Sequence, residues 1–122
     1  MNRDIAVGWV MLAAILSGCS NGGDNLLPRC ETVRSLQVID SGGRVLWKIE
    51  AAKPREICEI TYGQTPTDFV QMTPAVGLPR AFVLDERLTV ERITAEGWVR
   101  TDCSAATKRT MICAGYIAGP PR

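Results

Sequence analysis

The chain has 122 residues, with 14 Lys and Arg against 13 Asp and Glu and a formal net charge of +1. So balanced a composition gives no electrostatic case for a nucleic-acid partner or a strongly acidic substrate, and the length suits one domain. With no histidine, the commonest general base and metal ligand are missing, so neither a Ser-His-Asp nor a Cys-His arrangement can form.

The first element is an apolar run. Arg3 precedes the uncharged stretch Ile5 to Ile15, which leads into Leu16-Ser17-Gly18-Cys19. This is the layout of a secretory signal, too short to persist as a membrane-spanning helix. A signal ending in small residues and then Cys resembles the lipobox of bacterial lipoproteins. The resemblance implies that residues 1–18 are a signal peptide, cleaved before Cys19. It also implies diacylation of the Cys19 thiol and acylation of the new amino terminus, a palmitate-type anchor. Asp4 departs slightly from the pattern by offsetting Arg3. Ser20 follows the lipidated position; in Gram-negative members a residue other than Asp there implies transfer to the outer membrane. The expected location is therefore the periplasmic face of that membrane, with the bilayer itself as one partner.

Residues 19–28 read as the lipidated Cys and a flexible tether, because Ser20 to Asn25 is polar and glycine-containing. A β-domain is expected over 29–117, and Gly119-Pro120-Pro121 marks 118–122 as a disordered tail. Within the domain, Val33 to Ile39 is rich in branched residues and ends at Asp40-Ser41-Gly42-Gly43, a turn signal. Val45, Trp47 and Ile49 then alternate with Leu46, Lys48 and Glu50, which predicts a hairpin. Pro54 is expected to break the chain before a strand over 57–62 that places Cys58, Ile60 and Tyr62 on one face. Phe69 to Met72 reads as a short edge strand between Pro66 and Pro74, followed by a segment at Ala81 to Leu84. Leu88 and Val90 alternate with Thr89 and Glu91. A helix over 85–95 is the alternative there, opposed by Thr89, Val90, Ile93 and Thr94. Trp98 to Cys103 and Thr110 to Tyr116 read as a final hairpin. Six to eight short strands predict an all-β fold, a small antiparallel β-sandwich or barrel. In such a sandwich Trp47 and Trp98 would face each other across two sheets.

Once Cys19 is lipidated, Cys30, Cys58, Cys103 and Cys113 remain, an even set in an oxidising compartment. Three pairings are open. Cys30–Cys58 with Cys103–Cys113 is favoured because each pair would lie across neighbouring strands, each staple stabilising by roughly 3 kcal/mol. A zinc site wants close pairs such as C-x-x-C, which are absent, so no metal and no cofactor is expected.

Chemistry is sparse. Asp68, Asp85, Glu86, Glu91, Glu96 and Asp102 could in principle supply a carboxylate pair, but they scatter among basic neighbours and turn positions. The chain therefore reads as no enzyme. Tyr62, Gln64 and Phe69 form a candidate binding loop around Gly63 and Pro66. The plainer reading makes Tyr62 and Phe69 core residues. Arg100, Lys108 and Arg109 form a small basic cluster beside Asp102. The expected function is that of a noncatalytic structural or interaction module of an envelope complex, docking a protein partner through an edge strand. The alternative is a periplasmic ligand-binding or hydrolase-inhibitor module. Lipoproteins that inhibit lysozyme are of that type, but their Ser-Gly-x-x-Tyr segment is absent here.

Overall fold

Branched residues and a Gly-Gly turn build the first hairpin. In the computed structural model, which describes residues 25–121, strand β1 (Glu31–Asp40) turns back into β2 (Val45–Ile57). Asp40 closes the turn: its Oδ1 accepts the N–H groups of Gly42 and Arg44, each at 2.9 Å. Gly43 takes φ 86°, a conformation that any Cβ would disfavour. Four strands follow, β3 (Phe69–Thr73), β4 (Arg87–Thr94), β5 (Gly97–Ala105) and β6 (Met111–Gly119). All pair antiparallel in one six-stranded sheet of order β3-β2-β1-β4-β5-β6. The all-β, antiparallel, disulfide-stapled class read from the sequence is the one observed. Of the sandwich and barrel alternatives, the two sheets of a sandwich are not seen among the described residues: the six strands share one sheet, and connecting segments help complete the core.

Register explains which face is covered. Val38 stands opposite Trp47 and Val90, and Leu36 opposite Ile49, so one face collects β-branched and aromatic residues. Leu26, Leu27, Ile60, Tyr62 and Phe82 from the connections complete this cluster. Each large side chain fully buried there contributes about 1.5–3 kcal/mol. Two irregularities tune the pattern. Between Val38 and Ile39 the partner register skips Leu46, so consecutive Leu46 and Trp47 are both buried. Between Val33 and Ser35 the partners jump from Arg55 to Glu50. The residues omitted by that jump include Pro54, and β3 pairs only with residues 48–51 of β2. Pro54 therefore sits inside β2 without costing a ladder hydrogen bond, and does not break it as expected.

Cys103 and Cys113 stand directly opposite each other in β5 and β6 and are joined by a disulfide. The Cys30–Cys58 disulfide lies just beyond Glu31 and Ile57, the last pair of the β1–β2 ladder.

Several boundaries differ from expectation. The tether was expected to reach residue 28, yet Leu26 and Leu27 are buried in the core. Asn25 fastens them: its side chain accepts the N–H groups of Leu27 and Ile60 and donates to Cys58 O. At the other end β6 runs through Gly119, two residues past the expected limit. Gly119 lies opposite Trp98, whose ring occupies the space a Cβ would need. Residues 58–63 form no named strand; Thr61 makes isolated bridges to Asn25 and Gln64, and the alternation of Ile60 and Tyr62 serves to roof the sheet. Residues 81–84 are likewise irregular. The helix considered over 85–95 is replaced by β4, entered through Asp85 at φ 64°. Trp98 is half-buried and outside the core cluster, so it does not face Trp47 as expected.

Candidate functional site

Cys19, the expected lipidation position, lies outside the described residues. The candidate loop Tyr62, Gln64 and Phe69 is divided by the fold. Tyr62 is 3% exposed and Phe69 is buried on β3 opposite Ala51, while Gln64 alone stays at the surface. The reason is aromatic packing. The Tyr62 ring meets Trp47 edge-on at 5.6 Å and Phe82 at 4.3 Å, and its hydroxyl donates to Arg80 O at 2.9 Å. Burial pushes the Tyr62 phenol up to about 12, against the opposing pull of Arg109 and Arg80. The aromatic pair of the expected binding loop is thus structural.

The surface it supports is the loop of residues 74–86, which carries Val76, Leu78, Val83 and Leu84 outward. Val76 is 84% exposed and Leu78 70% exposed. This loop is tied down from beneath at both ends. Gln71 on β3 accepts the indole N–H of the fully buried Trp47 at 2.8 Å. The same side-chain amide donates to Pro74 O and Gly77 O, each at 2.8 Å. A core tryptophan, a glutamine and two loop carbonyls thus form one chain of hydrogen bonds. At the far end Arg80 makes paired bonds to Glu86, at 2.6 and 3.1 Å, and Glu86 Oε1 accepts the Val83 N–H at 3.0 Å. The bond from Arg80, with that from Val83, holds the Glu86 carboxyl below the usual glutamate range; the same pairing raises Arg80. Phe82 N–H donates to Lys108 O at 2.8 Å, and Arg109 donates to Pro79 O at 2.7 Å. Lys108 and Arg109 of the basic cluster therefore flank the loop. Arg100 is on the opposite face of the sheet, bonded to Glu91. Sequence reasoning missed Gln71, whose only local signal was a polar residue between Val70 and Met72.

The second candidate surface is the β6 edge. Its nine residues carry no charge, and Ile112, Tyr116 and Ile117 are exposed. Among the described residues no strand pairs with its outer side. A bulge facing β5 interrupts it between Ala114 and Ile117, with Gly115 at φ 71°.

Three of the candidate carboxylates, Asp68, Glu86 and Glu91, are engaged in structure. Asp68 pairs with Arg55, and Glu91 accepts from Gln37 at 2.7 Å and from Arg100 at 2.8 Å. The buried Arg92 makes a two-pronged pair with Glu31, at 2.7 and 3.0 Å. Among the described residues no group of three Cys, Asp or Glu could hold a metal ion. An open groove of about 460 Å³ lies near Cys30, bounded by Glu56, Glu96, Trp98 and Tyr116. No protein-family model, no curated protein and no solved structure matches this chain.

Proposed function

We propose that the protein is a lipid-anchored lipoprotein facing the periplasm from the outer membrane, and that it acts as a noncatalytic interaction module of an envelope complex. The anchor rests on the lipobox-like Leu16-Ser17-Gly18-Cys19. Two disulfides support an oxidising, extracytoplasmic compartment. The observation that carries the docking role is β6: a nine-residue, uncharged edge strand, paired to β5 on its inner side and to no described strand on its outer side. Such an edge is a template for strand addition, in which main-chain hydrogen bonds give affinity and alternate side chains give selectivity. Its occupant is an extended, largely apolar segment of another envelope protein, with Ile112 and Ile117 as the side-chain contacts.

Two measurements test this reading. Mass spectrometry of the mature protein should find an acylated Cys19 as the first residue; an unmodified Cys19 removes the anchor. A photo-crosslinking residue at Ile117 should capture one discrete partner in cells, whereas the same group at Val70 on β3 should not. Capture of equal yield at both positions would remove β6 as the docking edge. The second reading, a ligand-binding module, rests on the groove beside Trp98 and Tyr116. It requires a small molecule or glycan that shifts Trp98 fluorescence.

A further inference from the structure

We infer that the loop of residues 74–86 is a membrane-contact surface, seating its apolar side chains in the phospholipid interface and so fixing how the domain stands on the bilayer. The inference rests on the lipid-anchor reading and adds an orientation to it.

The first step is reach. Cys19 precedes Asn25 by six positions, and a fully extended chain covers at most about 3.3–3.6 Å per residue. An acylated Cys19 therefore holds Asn25 within roughly 20 Å of the lipid surface. Asn25 is fixed to the fold through Thr61, Cys58 and Ile60. Two residues beyond Thr61, Gly63 lies against Pro79, with its Cβ position 3.5 Å from the proline ring. Pro79 directly follows Leu78. The point where the chain enters the domain and the apolar loop are thus neighbours, and the tether is short enough for both to meet one bilayer.

The second step is the character of the surface. Val76, Leu78, Val83 and Leu84 are all more than half exposed, a concentration of aliphatic side chains within nine consecutive residues. Exposed aliphatic side chains gathered in one short segment mark a protein or membrane contact when the segment is held in place. Here it is held: Gln71 grips the Pro74 and Gly77 carbonyls, and Glu86 grips the Val83 N–H. The exposed aliphatic groups sit on a backbone already ordered, so inserting them requires no further ordering of the loop. Lys108 and Arg109 lie beside it through their contacts with Phe82 and Pro79, in place to meet phosphate headgroups.

Affinity for the membrane comes from the acyl chains, because two or more of them already anchor stably. What the loop adds is direction. Ile117 lies on β6, at the far edge of the sheet from β3 and Gln71. The loop meets the β5–β6 turn, through Lys108 and Arg109, and Ile117 lies near the opposite end of β6, so with the loop seated in the headgroups that end is carried away from the lipid and stays open to a partner.

The test uses the full mature lipoprotein in vesicles of phosphatidylethanolamine and phosphatidylglycerol, with a fraction of lipid brominated near the top of the acyl chains. Leu78→Trp adds a reporter on the loop and Ile117→Trp adds one on β6; the wild type supplies the background from Trp47 and Trp98. The added emission of L78W should be strongly quenched by brominated lipid, and that of I117W should not. Equal quenching, quenching of I117W alone, or no quenching in protein that floats with the vesicles would overturn the loop contact while leaving the anchor intact. A protein that does not float would overturn the anchor and the reach argument together. A second variant guards against a tryptophan that creates its own affinity. Adding Leu84→Asp to L78W should reduce the quenching without changing flotation, and unchanged quenching would overturn the role of the loop.

Discussion

The two edges of the sheet are built on opposite principles. β3 has five residues, and its Gln71 turns inward to tie the core Trp47 to the following loop. β6 has nine residues, no charge and almost no cover, and it is fastened to β5 by a disulfide. Six strands spaced by about 4.8 Å separate these edges by roughly 24 Å measured along the sheet. One edge is thus secured by polar contacts reaching down into the core, the other by a covalent bond to its neighbour. The difference teaches where freedom was kept: the short edge spends its polar groups on internal structure, whereas the long edge leaves its outer backbone groups available.

The largest expected effect comes from cutting the covalent bond. Replacing both Cys103 and Cys113 with Ala should lower stability by about 3 kcal/mol, the loop-closure value for so short a ring. Hydrogen exchange would sharpen the comparison, because amides of β6 should lose protection while those of β3 keep theirs. Equal loss at both edges would show that the staple acts on the whole fold. Next in size is the polar tie at the other edge. Gln71→Ala leaves the buried Trp47 N–H without its acceptor and should cost about 1–3 kcal/mol, measured by denaturant unfolding. Exchange should rise around residues 74–78 and stay unchanged in β6.

Both hairpins were legible because their signals are local. Asp40-Ser41-Gly42-Gly43 carries its own turn chemistry, and Cys103 and Cys113 flank a polar connection that permits a cross-strand bond. The roof was not legible. Cys58, Ile60 and Tyr62 alternate as a strand would, but period two says only that alternate residues point one way. Here Ile60 and Tyr62 turn into the core, Tyr62 onto Trp47, while Cys58 bonds to Cys30 and Thr61 pairs with Asn25. Leu26 and Leu27 were hidden in the same manner: following Gly22, Gly23 and Asn25, they read as the end of a tether until the sheet supplies a surface to cover. Gln71 is the sharpest case, since its role depends on Trp47, 24 positions earlier. No local pattern carries that contact. The lipobox reading of Cys19 stands on residues 1–19 alone.

A smaller effect separates the roof from both edges by pH. Tyr62→Phe removes one hydrogen bond to Arg80 O and should cost about 1 kcal/mol at neutral pH. The Tyr62 phenol is pushed up from 10.0 to about 12 by burial, so between these values the folded protein holds a proton that the unfolded chain has lost. Stability carried by this proton is complete below pH 10 and is lost as the pH rises towards 12. The variant lacks that titration, so the gap between the two proteins should close over this range in alkaline unfolding curves. A gap that stays constant to pH 12 would show that the hydroxyl is not held as described.

The smallest effect on stability should accompany the clearest effect on function. Ile117→Lys places a charge on an exposed face of β6, where surface substitutions usually change stability by less than about 0.5 kcal/mol. Lysine on an edge strand is nevertheless a standard obstacle to strand addition, because an incoming apolar segment would have to desolvate the ammonium group. Val70→Lys applies the same change to the β3 edge, whose Val70 is comparably exposed. If β6 is the docking edge, I117K should abolish capture by a crosslinker at Ile112, and V70K should leave it intact, with both variants melting close to the wild type. Loss of capture in both would mean that the partner spans the sheet and does not extend it. Capture that survives I117K would move the docking surface elsewhere and leave the uncharged edge without a functional reason.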